Sequence, residues 1–245
     1  MLRKSNNKNQ KLSPVTPFNT YLDLCNMVCR RLNEVEIVIE QWNVTRGVQS
    51  LVKDAVRAAV IRINQSEWEW PFNAAEHTEL LIPGQNEYTW PVNFKVADFN
   101  SFQIQKDSNL NSNFKTLKVI ERDEWYKFYR DRDYDAGSAG LGIPDFVFPS
   151  HGLGFGVTRS PNKAYTLTYR YYLNPDKLVL PTDPSRIPPQ FDTVLVNGAL
   201  YHMYMFRDNA EAAATTLEVF EEGMKSMQRL LLNNYEYIRD TRVSF

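Results

Sequence analysis

The sequence is poor in the residues that carry most catalytic and metal chemistry, with two cysteines and three histidines in 245 residues. Two cysteines cannot build the multi-bridge framework of a small extracellular domain. Cys25 and Cys29 lie four residues apart, which places both thiols near one helical face. With no further ligand types beside them, they read as buried free cysteines rather than a metal site. His77 precedes a strand-like segment, His151 sits in a glycine-rich loop, and His202 interrupts an apolar helix face. No HExxH occurs. His151 reads as a surface residue or a lone ligand, His202 as a packed or interface residue.

Long hydrophobic runs are also missing, so no segment is apolar enough to span a bilayer as a helix. Arg3 and Lys4 are not followed by the apolar core of a signal peptide. The expectation is a chain made in the cytoplasm and soluble before any assembly. Charge of one sign is missing too: 28 basic residues against 29 acidic ones leave a formal net charge of −1. A general basic surface for nucleic acid is therefore unnecessary, although a local patch is compatible with that average. Gly152-Leu153-Gly154-Phe155-Gly156 lacks the GxxxxGK[ST] arrangement that aims backbone donors and a lysine at phosphate, and reads as a flexible β-connection. Ser150 beside His151 supplies neither an orienting acid nor an oxyanion site. The numerous carboxylates form no recognisable catalytic pair.

Aromatic residues are abundant: thirteen tyrosines, fourteen phenylalanines and five tryptophans. They suit either a well-packed sheet or broad contacts between subunits. The clearest local signals are helical. Thr20 and Asp23 have capping-box spacing, followed by Tyr21, Leu24, Cys25, Val28 and Leu32 on one stripe. Between Val48 and Ile63, apolar residues recur at steps of three and four, with Lys53, Asp54, Arg57 and Arg62 expected to form a charged solvent face. Ile187–Phe206 and Asn209–Arg239 read as two further helices, entered through Pro188 and Pro189 and joined at Arg207-Asp208-Asn209. The stripe of the first includes Phe191, Leu195, Ala199, Met205 and Phe206; that of the second includes Ala213, Leu217, Phe220, Met224 and Met227. A short connection favours antiparallel packing of the pair.

The middle of the chain changes period. Pro71 discourages helix, and Glu79–Ile82 and Tyr88–Pro91 flank Pro83-Gly84-Gln85-Asn86 as a β-hairpin would. Phe99–Gln105, Thr116–Val119, Phe146–Phe148, Gly154–Thr158 and Tyr165–Tyr172 are strand-like, and Asp123–Arg130 reads as a short, solvated charged helix. Repeated strand–helix crossovers are absent, which argues against a parallel nucleotide-binding sheet. The expected class is α+β, with terminal helices forming an antiparallel bundle around a β-rich central insertion. The boundaries are a flexible basic arm at 1–17, a helical body at 18–70 and 187–235, the insertion at 71–186, and an extended C-terminal tail at 236–245.

The order of these signals carries a resemblance. Thr20-Tyr21-Leu22-Asp23-Leu24-Cys25-Asn26, the Val48–Asn64 helix and Trp68-Glu69-Trp70-Pro71-Phe72-Asn73 are followed by a β-segment. Ile187-Pro188-Pro189-Gln190-Phe191, Val196-Asn197-Gly198-Ala199-Leu200 and the Asn209–Leu232 helix complete the set. Together they resemble the head-to-tail adaptor, or tail tubular A, family of short-tailed bacteriophages; 94–174 matches only in general β character.

The resemblance implies a noncatalytic virion protein without cofactors, found in the tail at the head-to-tail junction and assembled in the host cytoplasm. It implies a homo-oligomeric ring, twelve copies being the family-based choice, between the portal protein and the tail nozzle protein, with a tail fibre left open as a further partner. Double-stranded DNA would pass through the channel without sequence-specific binding. A channel that passes DNA should not grip phosphates, so Asp208, Glu211, Glu218, Glu221 and Glu222 are candidates for a lumen face; external solvation explains them equally. Tyr237, Ile238, Arg239, Arg242 and Phe245 suit an extended contact with the portal or a neighbouring copy. The rival readings are a nonviral assembly adaptor or a small-ligand-binding module, and after them an enzyme.

Overall fold

The computed structural model describes residues 18–106, 113–134, 140–151 and 154–232. Along the chain come α1 (Tyr21–Arg31), α2 (Val48–Gln65), β1 (Ala74–Leu80), β2 (Glu87–Thr89), β3 (Phe94–Ala97) and β4 (Gln103–Gln105). Next are β5 (Phe114–Thr116), β6 (Lys118–Val119), α3 (Arg122–Phe128), α4 (Arg130–Tyr134), β7 (Leu141–Gly142) and β8 (Phe146–Pro149). The order ends with β9 (Gly154–Thr158), β10 (Ser160–Pro161), β11 (Thr166–Leu173), α5 (Asp192–Phe206) and α6 (Ala210–Leu231). The class is α+β, as expected. Two compact units result. One comprises the described residues up to Val60 with Leu178–Gly223; the other comprises Ile61–Lys177 with the described residues from Met224.

In the first unit α1 begins with the capping box its sequence announces: Asp23 N donates to Thr20 Oγ1 at 3.2 Å, and Thr20 N to Asp23 Oδ2 at 3.0 Å. Tyr21, Leu24, Cys25, Val28 and Cys29 are fully buried. The α2 stripe is buried as its spacing predicts, through Val52, Ala55, Val56 and Ala59. Its charged side is not simply solvated. Lys53 Nζ donates to the Trp42 carbonyl at 2.9 Å and lies 4.1 Å from the Trp42 ring centre, while Arg57 Nε donates to the Leu178 carbonyl at 3.1 Å. Long basic side chains bury their stems while their donors bridge to loop carbonyls that helix and sheet leave open.

Helix α5 starts at Asp192 rather than Ile187. Pro188 is held extended at φ −58°, ψ 139° by the proline that follows, and Pro189–Phe191 makes a 3-10 turn first. The α5–α6 pair runs antiparallel across Arg207–Asn209, with Gly198 against Phe220 and Gly223 against Val194. The expected α5 stripe holds at Leu195 and Ala199 but not at Met205 and Phe206, which are exposed, whereas Val196, Leu200 and Met203 are buried. A helix touched by α1, α2 and α6 is enclosed through its middle and has no single apolar face there. On α6 the expected stripe is buried at Ala213, Phe220, Met224 and Met227.

Among the described residues the second unit contains two facing sheets and a short parallel pair of β7 with β10. One has the order β1-β11-β4-β5, with β3 also pairing β11; the other has β2-β9-β8-β6. Leu167, Tyr169, Tyr171 and Leu173 alternate inward from β11 and meet Phe155, Val157, Val147 and Tyr88 of the other sheet. Much of the aromatic surplus is spent here, for example where Phe102 stacks on Tyr169 at 4.6 Å. Trp125 of α3 stacks on Phe148 of β8 at 4.5 Å in a separate small cluster with Ile120.

Three expectations change in this unit. Residues 79–82 and 88–91 do not form a hairpin: β1 pairs antiparallel with β11 along its whole length, and β2 pairs with β9. The turn Ile82–Gln85, closed by Gln85 N to Ile82 O at 3.1 Å with Gly84 at φ +77°, carries the chain from one sheet to the other. Gly154 and Gly156 are not a flexible connection but part of the fully buried β9; Gly152 and Leu153 lie outside the described residues. A Cβ on Gly154 would overlap the Tyr88 carbonyl oxygen, and one on Gly156 the Phe148 ring. The short charged helix ends at Phe128 with Asp123, Glu124 and Lys127 exposed as expected, and a second helix, α4, follows Tyr129 with charges that are partly internal. Asp133, with a fully buried side chain, accepts from Trp125 Nε1 at 2.9 Å, and Arg132 Nη2 donates to Thr158 Oγ1 at 2.9 Å.

Candidate assembly interface

Residues 33–44, between α1 and α2, form a fastened loop that ends in a 3-10 helix at Ile39–Val44, with apolar side chains on its outside. Asn26 on α1 grips it in two directions: Ile37 N donates to Asn26 Oδ1 at 2.8 Å, and Asn26 Nδ2 donates to the Ile37 carbonyl at 3.1 Å. Arg30 pairs with Glu36 at 3.0 Å, and Arg207 pairs with Glu34. Trp42 is the anchor, 3% exposed, edge-on to Tyr21 at 4.8 Å and donating from Nε1 to the Val179 carbonyl at 3.1 Å. Held this way, the loop leaves Val35, Val38, Ile39 and Val44 exposed at 78%, 53%, 49% and 67%. Four aliphatic side chains kept in water by an ordered loop are what a partner surface requires. The run Val35-Glu36-Ile37-Val38-Ile39 was the available sequence signal: it is apolar without a period of two or of 3.6.

The acidic residues proposed for a lumen face are exposed. Glu211, Glu218 and Glu222, at steps of seven and four, fall on one line of α6, opposite the buried Ala213–Phe220–Met227 stripe. Glu221 lies to the side of that line. Asp208 is not on the helix: it occupies the connecting turn at φ 54°, a conformation aspartate tolerates better than most residues. Tyr237, Ile238, Arg239, Arg242 and Phe245 lie outside the described residues, as does the 1–17 arm.

The residues considered for chemistry are dispersed. Cys25 and Cys29 are free and buried. Burial, and for Cys25 also the neighbouring Cys29, pushes the thiol pKa well up, so neither is a ready thiolate. His77 packs on Tyr169 at 5.4 Å, His202 lies 5.1 Å from the Tyr201 ring, and His151 is exposed. Ser150 Oγ accepts from Arg122 Nη1 at 3.4 Å. Among the described residues no group of three His, Cys, Asp or Glu side chains could hold a metal ion, and no helix is long and apolar enough to cross a membrane.

One carboxylate missed by sequence reading stands out for its environment. Asp192, at the first turn of α5, accepts from Asn19 Nδ2 through one oxygen, while its Oδ1 is buried with no partner. Burial raises its pKa from the usual 3.8 to about 6 against the opposing Asn19 hydrogen bond, with a smaller push from Asp23. Its place between Asn19 and the start of α5 makes it a structural clasp.

Among curated proteins none matches this sequence. The family model for the SU10 adaptor protein matches residues 19–242, nearly the whole chain. With that match across α1, α2, both sheets, α5 and α6, the chain belongs to the SU10 adaptor protein family, a phage head-to-tail adaptor family.

Proposed function

We propose that this chain is a noncatalytic structural adaptor of a short-tailed phage, placed in the virion tail between the portal protein and the tail nozzle protein. Copies assembled in the host cytoplasm form a closed ring of twelve, whose channel passes double-stranded DNA during ejection without reading its sequence. One interface repeated around a rotation axis closes such a ring. The observation that carries this reading is the fastened loop at 33–44, which displays four aliphatic side chains in a chain of an adaptor family. In a ring the exposed glutamates of α6, with Asp208 at its entry, line the lumen and keep phosphates from sticking. The C-terminal residues Tyr237, Ile238, Arg239, Arg242 and Phe245 reach the portal or a neighbouring copy.

Counting subunits in portal-containing particles tests the ring: a closed ring is expected, and single copies attached at isolated sites would refute it. Removing residues 239–245 should lower incorporation into those particles in competition with the intact chain and leave the thermal midpoint of the free chain nearly unchanged. Equal incorporation would reject the C-terminal anchor.

A further inference from the structure

Among the described residues strand β1 ends one sheet, pairing with β11 on one side only. Leu81 N donates to the Tyr165 carbonyl at 2.8 Å, so Leu81 turns its backbone groups toward the β11 side. The two-residue period then turns Glu79, His77 and Ala75 the same way and leaves Glu76, Thr78 and Leu80 pointing out. Among the described residues no hydrogen bond reaches the N–H or C=O groups of those three. This edge is seven residues long, free of proline, glycine and lysine, and exposed at Ala74, Glu76, Thr78 and Leu80. Sheet proteins usually blunt such an edge; here the charges on it are the two carboxylates of Glu76 and Glu79, so it suits an added strand that brings cations.

The charge along the edge itself selects the occupant; Arg170, across from Glu76 on β11, is paired with Asp98 at 2.9 Å. From Ser66 to Leu81 the chain carries Glu67, Glu69, Glu76 and Glu79 and no Lys or Arg; residues 1–17 carry Arg3, Lys4, Lys8 and Lys11 and no Asp or Glu. Glu79, on the inner side of β1, has a buried Oε2 without a partner. In an extended arm Lys4 and Lys8 fall on one face and Arg3 and Lys11 on the other, so a cation meets Glu79 inside and another meets Glu76 outside. Residues 1–13 contain no proline, and seven paired residues need about 23 Å of strand.

We infer that the outer edge of β1 takes residues from the 1–13 stretch of a neighbouring copy as an added strand, so that each copy passes its basic arm to the next. The inference rests on the reading that copies of this chain meet one another, and adds the segment and the edge through which they do so.

The test uses the full chain with Thr78 replaced by a photo-cross-linking amino acid, in portal-containing particles assembled from a mixture of isotopically light and heavy copies. Adducts joining position 78 of one copy to residues 1–13 of another are expected. Thr78→Pro removes one outward N–H while keeping the β11 ladder, and should lower incorporation about tenfold; Thr78→Val should leave it unchanged. The double variant Lys4→Glu/Lys8→Glu should show the same loss as Thr78→Pro. Adducts to DNA or to another segment overturn the inference, as does the absence of an adduct. So does wild-type incorporation of both Thr78→Pro and the charge-reversed arm. Subunit counting on the same particles separates the two readings, because a ring without the adduct refutes the arm exchange alone.

Discussion

Lys95 reaches from β3 to the carbonyls of Asn64, Ser66 and Trp68 at 2.8, 2.6 and 2.9 Å, one ammonium closing the C-terminal end of α2 and the residues after it. A helix end leaves carbonyls unpaired, and a cation there also meets the negative end of the helix dipole. Lys95→Met keeps the aliphatic stem and strands three acceptors, so it should cost about 2 kcal/mol, read as a lower urea midpoint at unchanged slope. Asp192 makes the opposite kind of claim. Its carboxyl stays protonated up to about pH 6 in the folded chain, against an ordinary value of 3.8. Between those values the folded chain binds more protons than the unfolded one, so this group's stabilising contribution is full below about pH 3.8 and lost as the pH rises through 6. Asp192→Asn should remove that part of the pH slope and, after allowance for partial solvent exposure, gain about 1 kcal/mol at pH 7. Unchanged thermal midpoints across pH 4 to 7 relative to wild type would refute it.

At the scale of elements, what the sequence makes legible depends on whether a signal is local. The α1 capping box and the α2 stripe are decided by residues three or four apart, and both are present as read. Val56→Asp, at a fully buried stripe position, should therefore destabilise the first unit by about 3 kcal/mol or more. Arg57→Ala, which gives up the hydrogen bond to Leu178, a half-exposed ion pair with Asp54 and a contact with the Tyr21 ring, should cost about 1 kcal/mol. Equal urea midpoints for the two variants would contradict the assigned face. The strands were legible as segments and illegible as partners. Nothing within 79–91 says that β1 belongs with β11, nearly ninety residues later in the chain, because register there is set by facing side chains rather than by the turn. The same limit explains Gly154 and Gly156. Their spacing suggested a loose connection, but their small size answers the close approach of Tyr88 and Phe148 from two other strands.

For the whole molecule, the family was legible in the order of motifs, while the surface through which an adaptor would meet its partners was not. Periodicity finds faces that fold inward; Val35, Val38 and Ile39 face outward, and only the grip of Asn26 and Trp42 on their loop shows that the exposure is fixed rather than casual. Fixing matters energetically, since a loop ordered before assembly has already lost the entropy that binding would otherwise cost. Pairing Val38→Asp with Ile39→Asp tests this directly. Both side chains are about half exposed in the free chain, so the urea midpoint of the purified protein should move little, within about 0.5 kcal/mol. Incorporation into portal-containing particles should fall by about 30-fold, the effect of losing roughly 2 kcal/mol at a central apolar contact. The control is Val92→Asp, an equally apolar and fully exposed position on a different part of the chain, which should incorporate like wild type. Wild-type incorporation of the Val38/Ile39 double variant would remove the loop from the interface. A collapse of its urea midpoint would instead make the loop a structural support of the first unit, with assembly depending on some other surface.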